Sequence, residues 1–132
     1  MIVRDIRLAE DTKREVKAQN WTSTRLLLSE DNLGFSFHET IVKPDTETRI
    51  WYKNHLEAVY CIEGSGEIEE ENGTRHKIFP GIIYALDKHD KHVLRAFTQM
   101  RMICVFNPAL VGEEVHDENG IYPLLEYTRG TT

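Results

Sequence analysis

The chain has 132 residues, a length typical of one globular domain, so we expect a single domain over residues 1–132. Acidic residues outnumber basic residues by 22 to 16, and no cluster of Lys or Arg predicts a surface for nucleic acid or anionic membranes. The sequence has no apolar run of the roughly 18–20 residues that span a bilayer, and its start does not resemble a signal peptide. We therefore predict a cytoplasmic protein. Cys61 and Cys104 lie in apolar, strand-like stretches, which is typical of buried thiols in a reducing compartment.

The first twenty residues contain the only predicted helix. Between residues 10 and 18, Val16 and Ala18 occur among many charged side chains, and this spacing indicates a short amphipathic segment. We expect this helix to be peripheral, because it offers few apolar side chains to a core.

Short runs of β-branched and aromatic residues follow one another from Trp21 to Phe106, which predicts an all-β structure. Turn signals such as Pro80-Gly81 separate these runs at the spacing typical of a sandwich or barrel. The tail after Pro108 is expected to be irregular. The predicted strands are residues 23–28, 35–42, 48–52, 58–62, 66–70, 76–79, 82–86, 93–97 and 101–106.

The most informative turn signal is Asn72-Gly73. Both residues tolerate the positive φ angle that a type I′ turn requires, and strand-like residues flank them on both sides. We therefore expect a β-hairpin with a type I′ turn at this position.

One predicted strand has two different faces. Side chains alternate along a strand, so Phe35 and Phe37 lie on one face, whereas Ser36, His38 and Thr40 lie on the other. On an exposed sheet the polar face would meet water, and in a small barrel it would line a pocket. The sequence period alone leaves both possibilities open.

A pattern between residues 57 and 92 resembles the signature motifs of the cupin barrels. Glu57 begins an apolar strand that ends in Gly64-Ser65-Gly66, and His92 follows a Pro-Gly turn. In cupins the side chains at such positions project from facing strands into one barrel and bind a metal. The resemblance implies an all-β cupin barrel of the RmlC-like, jelly-roll type. The positions that usually hold two histidines are Trp51 and Lys53, which excludes an ordinary two- or three-histidine centre.

Longer strings extend the resemblance over almost the whole chain, at residues 20–28, 34–40, 54–64, 84–87 and 106–108. They are similar to the ectoine synthase family, a branch of the cupins. In that family Fe(II) is held by a Glu, a Tyr and a His, and the matching residues here are Glu57, Tyr84 and His92. One carboxylate, one phenolate and one imidazole suit Fe(II) and leave positions open for substrate. Without the resemblance, a lone tyrosine on a strand is typical of packing, so the assignment of Tyr84 as a metal ligand depends on the resemblance.

The resemblance implies ring closure of N4-acetyl-L-2,4-diaminobutanoate to the compatible solute ectoine with loss of water. This is a carbon–oxygen lyase (hydro-lyase) reaction, in which the α-amine attacks the acetamide carbonyl without a redox change. The residues implied for substrate binding are Trp21, Arg25, Thr40, Cys104 and Phe106, and the titratable residues implied for proton transfer are Tyr52, His55, Glu114 and His116.

Two further expectations concern the tail and the assembly. Residues from Glu113 onward are expected to cover the barrel mouth, because Glu114 and His116 reach the substrate only from there. Cupins that resemble this chain are commonly dimers, and exposed strand edges favour pairing of two copies, so we expect a homodimer.

Two other functions remain open, an Fe(II) cupin dioxygenase and a non-catalytic cupin that binds a small amino-acid derivative. An oxygenase normally keeps at least two histidines on its iron, and a binding module normally adjoins an output domain. His89 and His92 also suggest a zinc pair, but one such pair without cysteines is a weak pattern. We interpret His89 as a turn residue.

Overall fold

Ten β-strands make up almost all of the regular structure in residues 1–112, Glu114 and His116, the part of the chain that the computed structural model describes. They confirm the all-β class, and every predicted strand has a counterpart. Their bounds are β1 Glu15–Lys17, β2 Trp21–Leu27, β3 Ser36–Val42, β4 Thr46–Ile50, β5 Leu56–Glu63, β6 Gly66–Glu70, β7 Arg75–Ile78, β8 Ile83–Leu86, β9 His92–Ala96 and β10 Met100–Asn107.

The strands form two antiparallel sheets. The larger sheet has the order β1-β2-β3-β10-β5-β8, and the smaller sheet has the order β4-β9-β6-β7. Buried side chains of both sheets belong to one hydrophobic cluster, for example Val59 and Met102 from the larger sheet and Ile68 and Leu94 from the smaller. The core therefore lies between the sheets. Within the described residues, no helix is long and apolar enough to cross a membrane.

Alternation along each strand decides which side chains reach the interior. On β5, Glu57, Val59 and Cys61 are buried, whereas Tyr60 is exposed. The same alternation buries every second residue of β10 from Met100 onward. Glu57 is thus carried into the interior by the register that buries its apolar neighbours.

The helix predicted over residues 10–18 is wrong. The first twenty residues contain only a 3₁₀ turn at Ile6–Leu8, and Glu15–Lys17 forms β1, which pairs with β2. Asp11 has a φ of 59°, a left-handed conformation that interrupts a helix. So short a helix is marginal in water, whereas the edge strand packs Val16 against the core. Tertiary packing therefore decides the structure of this segment.

The hairpin predicted at Asn72-Gly73 is confirmed, because β6 and β7 pair around it, but the turn type is different. Gly73 has a φ of 89°, whereas Asn72 does not have a positive φ, so the turn is not type I′. The Gly73 amide donates to the Glu70 carbonyl at 2.9 Å, and the Glu70 amide donates to the Thr74 carbonyl at 2.8 Å. These contacts define a three-residue loop with a left-handed glycine, which an Asn-Gly pair also fits.

The polar face of β3 points into the barrel. Ser36 and His38 are buried, and Thr40 lines the interior cavity, whereas Phe35 on the opposite side is exposed. Of the two possibilities for the polar face of this strand, the structure shows that it lines a pocket and does not meet water. A polar wall inside an otherwise apolar core indicates where the functional site lies.

Candidate active site

A small cavity lies in the barrel interior. Its volume is about 40 Å³, which is room for a few water molecules. Side chains of both sheets line it, so residues far apart in the sequence meet around one space. The residues predicted for the site that line this cavity are Trp21, Thr40, Tyr52, Glu57, Tyr84, Cys104, Phe106 and His116.

Glu57 and Tyr84 reach the cavity from neighbouring strands. Glu57 lies opposite Leu86 and Val59 lies opposite Tyr84, so Glu57 and Tyr84 are diagonal neighbours on one face. Burial raises the pKa of Glu57 to about 8, and a hydrogen bond from Cys104 offsets only part of this effect. Burial, together with the Glu57 charge, raises the pKa of Tyr84 well above its usual value of 10. Both groups therefore resist ionisation unless a cation joins them.

His92 begins β9 and carries a ring nitrogen that has no partner among the described residues. Nδ1 lies 3.0 Å from the carbonyl oxygen of Asp90 and donates to it when the proton is on Nδ1. Nε2 is then a lone-pair nitrogen, and in the described part of the chain it is buried with no hydrogen-bond partner. Burial lowers the pKa of the ring, which favours the neutral form. A neutral imidazole oriented by a backbone carbonyl is the usual arrangement of a metal-binding histidine.

The three proposed metal ligands do not all face one space. His92 borders a second cavity beside the interior one, and Tyr84 borders both. No three His, Cys, Asp or Glu side chains among the described residues group closely enough to bind a metal by themselves. Among the described residues, Tyr84 is the further oxygen donor next to Glu57. The chemistry of the three donors, carboxylate, phenolate and neutral imidazole, fits Fe(II).

Arg25, to which the resemblance assigns substrate binding, lies behind the cavity wall. It is fully buried but does not line the cavity. Its Nη2 donates to the Glu114 carbonyl at 2.7 Å, and its Nη1 lies 3.8 Å from Glu114 Oε1. Its Nε donates to Ser23 Oγ at 3.4 Å, and Ser23 does line the cavity. The guanidinium is therefore one side chain away from the cavity.

Glu114 also lies away from the cavity. Its carboxylate accepts hydrogen bonds from the amides of Val111 at 2.7 Å and Gly112 at 2.8 Å. These contacts, with Arg25 beside them, fix the start of the tail. The role of Glu114 in proton transfer stays a prediction. Apart from Glu114 and His116, the tail from Glu113 onward that we expect to cover the barrel mouth lies outside the described residues.

Tyr52 and His116 form a hydrogen-bonded pair at the cavity. Tyr52 Oη and His116 Nε2 are 2.8 Å apart. The His116 ring packs edge-on against Trp21, and the Tyr52 ring packs edge-on against Phe106. A phenol and an imidazole in direct contact are suited to pass a proton to or from a bound molecule.

His55 is buried against the ring of Phe106 and does not line the cavity. His55 is not part of the strand that carries Glu57, because β5 begins only at the following residue, Leu56. Burial lowers its pKa. In contrast, His38 lines the cavity although it was not among the predicted site residues. The alternation of polar residues along β3 was the signal for it.

Known structures identify the fold class. An RmlC-like cupin from Shewanella frigidimarina matches 72% of this chain and 82% of its own, with a TM-score of 0.59 at 16% identity. At that identity the likeness concerns the fold alone. The two-sheet barrel is therefore a cupin barrel.

Closer relatives identify the family. The model of the ectoine synthase family matches residues 1–126. The crystal structure of an ectoine synthase from P. lautus covers 100% of this chain and 96% of its own, with a TM-score of 0.86 at 54% identity. An L-ectoine synthase from Halalkalibacterium halodurans is 61% identical over 87% of this chain and 90% of its own, and one from Hahella chejuensis is 58% identical over 94% and 95%. The chain belongs to the ectoine synthase family and is an enzyme of the hydro-lyase class.

Proposed function

We propose that this enzyme closes N4-acetyl-L-2,4-diaminobutanoate to ectoine with loss of water, using Fe(II) held by Glu57, Tyr84 and His92. Membership of the family supports the reaction. The observation that supports the metal is the buried Nε2 of His92, which has no partner among the described residues. A divalent cation would pair with this nitrogen and would offset the burial of the two oxygen donors.

Ring closure requires an activated carbonyl, a deprotonated amine and two substrate ends held close together. Bound Fe(II) would supply Lewis acidity, typically several kcal/mol of stabilisation of developing negative charge. The Tyr52 and His116 pair is placed to accept a proton from the substrate amine and to return one to the departing hydroxyl. The cavity wall holds the flexible substrate in a bent shape, which lowers the entropic barrier to cyclisation.

The cavity wall also suggests how the substrate is oriented. Trp21, Cys104 and Phe106 offer an apolar surface for the acetyl methyl group, and Thr40 offers a hydroxyl. We place the substrate carboxylate on the side of Ser23, because the buried Arg25 charge stands directly behind it. The present cavity has room for only a few water molecules, so substrate binding requires part of the wall to move. We expect the wall to move at His116, because this residue belongs to the tail and not to a strand.

The test combines metal analysis with product identification. Protein prepared under argon is incubated with N4-acetyl-L-2,4-diaminobutanoate, and we expect a product lighter by one water, formed without oxygen, by a protein that contains iron. Glu57→Ala and His92→Ala should lose most iron and nearly all cyclisation, with unchanged circular dichroism. Glu10→Ala, at an exposed carboxylate in the N-terminal segment, is the control and should retain both.

Three outcomes would contradict the proposal. Full iron occupancy in both ligand variants would remove the metal site. A requirement for oxygen would favour the dioxygenase, and tight binding without turnover would favour the non-catalytic cupin.

We further propose that the enzyme is a homodimer in a reducing, cytoplasmic compartment. β8 is an outer strand of the larger sheet and exposes Ile83, next to the exposed Tyr60 of β5, and such an edge favours pairing with a second copy. Cys61 and Cys104 are both free and buried, which fits reducing conditions. Light scattering that shows a monomer at all concentrations would contradict the dimer.

A further inference from the structure

A ring of buried polar contacts joins β2 and β3 to the segment that follows β10. All of its members are at most 2% exposed. Buried polar groups are stabilising only when they are paired, so a network of this size inside a barrel requires an explanation. In order around the ring, its members are Leu110, Ser36, His38, Ser23, Arg25 and Glu114.

The β3 side of the ring is centred on His38. The Leu110 amide donates to Ser36 Oγ at 3.0 Å, and Ser36 Oγ lies 2.9 Å from His38 Nε2. Ser36 and His38 share one face because they are two residues apart on the strand. His38 Nδ1 lies 3.4 Å from Ser23 Oγ. One imidazole therefore bridges two serines on neighbouring strands.

The β2 side returns the ring to the tail. Ser23 Oγ accepts from Arg25 Nε, and Arg25 Nη2 donates to the Glu114 carbonyl. The Glu114 carboxylate in turn accepts the amides of Val111 and Gly112, which directly follow Leu110. The ring thus holds the Arg25 guanidinium and the start of the tail as one unit.

The hydrogen-bond donors and acceptors left on the two serines show which protonation form of His38 pairs with both. Ser36 already accepts a hydrogen bond from Leu110, and Ser23 already accepts one from Arg25, so each serine has one hydrogen and one lone pair left. A neutral imidazole has one N–H and one lone pair and therefore pairs with both serines in either tautomer. Burial and the Arg25 charge both lower the pKa of His38 well below 6.5, which favours this neutral form.

We propose that His38 is a positioning residue, a neutral bridge that fixes Arg25 behind the substrate carboxylate site and fixes the start of the tail through Ser36. The inference rests on the proposed function for its effect on substrate. It predicts two separable effects, because the two ring nitrogens hold different partners. Loss of the Nε2 contact removes the imidazole partner of Ser36, which accepts the Leu110 amide, and loss of the Nδ1 contact removes the imidazole partner of Ser23, which accepts Arg25 Nε.

The test uses three substitutions of His38. Phe keeps a ring and removes both nitrogens. The side-chain amide of Asn overlaps Nδ1 and keeps the Ser23 contact, and the amide of Gln reaches the place of Nε2 and keeps the Ser36 contact. Amide hydrogen exchange of Leu110, measured by NMR on the enzyme without substrate, should accelerate about tenfold in the Phe and Asn variants and stay at the wild-type rate in Gln.

Steady-state kinetics should show the complementary pattern. We expect KM to rise about three- to tenfold in His38→Phe and His38→Gln and to stay near wild type in His38→Asn, with kcat within about twofold throughout. Ser36 does not line the cavity, and Ser36→Ala should accelerate the amide hydrogen exchange of Leu110 because it removes the acceptor. Ile78→Val, a buried substitution in β7 remote from the ring, is the control for reduced stability and should change neither readout.

The outcomes separate this inference from the proposed function. Equal behaviour of the Asn and Gln variants, or wild-type Leu110 exchange in His38→Phe, would overturn the positioning role. The exchange experiment needs no turnover, so it decides the role of His38 even if wild-type enzyme fails to cyclise the substrate. That failure would count against the proposed function alone.

Discussion

Replacing Glu57 with Gln in the metal-free enzyme isolates the energetic effect of one buried carboxyl group. The amide has nearly the same size and shape but does not ionise. Only 7% of Glu57 is exposed, and burial raises its pKa from 4.5 to about 8. We therefore expect the metal-free Glu57→Gln variant to gain stability over wild type as the pH rises, although the change removes a proposed metal ligand.

The sign and size follow from the protons bound by each state. Between pH 4.5 and about 8 the unfolded chain releases the Glu57 proton while the folded chain retains it, so stability falls as pH rises. For one retained proton, the free energy of unfolding falls by up to about 1.36 kcal/mol for each pH unit. The loss is therefore about 2 kcal/mol between pH 6 and pH 8. The pKa values of three buried histidines are lowered, so these residues reduce the stability of the folded protein as the pH falls: His38, His55 and His92. Both proteins share these histidines, so the difference between the two proteins isolates Glu57.

The assay is urea unfolding, followed by circular dichroism, in the presence of a chelator. The free energy of unfolding of Glu57→Gln relative to wild type should increase by about 2 kcal/mol from pH 6 to pH 8. Glu71→Gln, at an exposed position, is the control and should show no such change. With saturating Fe(II) under argon, wild type should become more stable than Glu57→Gln, because a bound ion stabilises the folded carboxylate form. A difference that is constant with pH would refute the burial argument, and no effect of Fe(II) would remove Glu57 from the metal site.

Two other substitutions test the remaining chemistry of the site. Tyr84→Phe keeps the packed ring, so we expect a stability change below about 1 kcal/mol, weakening of iron binding beyond about 100-fold, and loss of the visible phenolate absorption of the oxidised enzyme. Unchanged affinity with a retained absorption band would assign the third ligand elsewhere. His116→Phe keeps the aromatic contacts with Trp21 and Tyr52 but removes the ring nitrogen, so kcat should fall by about 10²- to 10⁴-fold while iron content is unchanged. A wild-type kcat in this variant would exclude His116 from proton transfer.

The strands are predictable from the sequence because their pattern is local. The strand predicted at residues 66–70 has the bounds of β6, Gly66–Glu70, and most others differ by only one or two residues at each end. The segment 10–18 is different, because its charges are compatible with a helix or an edge strand. The packing of Val16 beside β2 decides between them, and that contact is not encoded within the segment.

The site is predictable where a residue lies on a strand of known register and unpredictable where the chain folds back. Trp21, Thr40 and Phe106, which the resemblance assigns to substrate binding, line the cavity, and their binding role stays a prediction. Arg25 lies on the same strand and face as Trp21, but its guanidinium contacts Glu114, a residue 89 positions away. No local pattern specifies this partner. The resemblance therefore points to Arg25, but the sequence does not show that its guanidinium lies behind the cavity wall.

Two buried carboxylates in this barrel have surroundings that separate a positioning role from a chemical one. Glu114 accepts two backbone hydrogen bonds and lies beside Arg25, so its charge is compensated within the protein. Glu57 has the weak thiol donor Cys104 to oppose its burial, and its pKa rises to about 8. Apolar residues of similar size would fill this part of the cavity wall more stably than a buried carboxyl beside a buried phenol. A bound cation would pair with these buried groups, which is the argument for proposing the metal at Glu57 and a positioning role for Glu114.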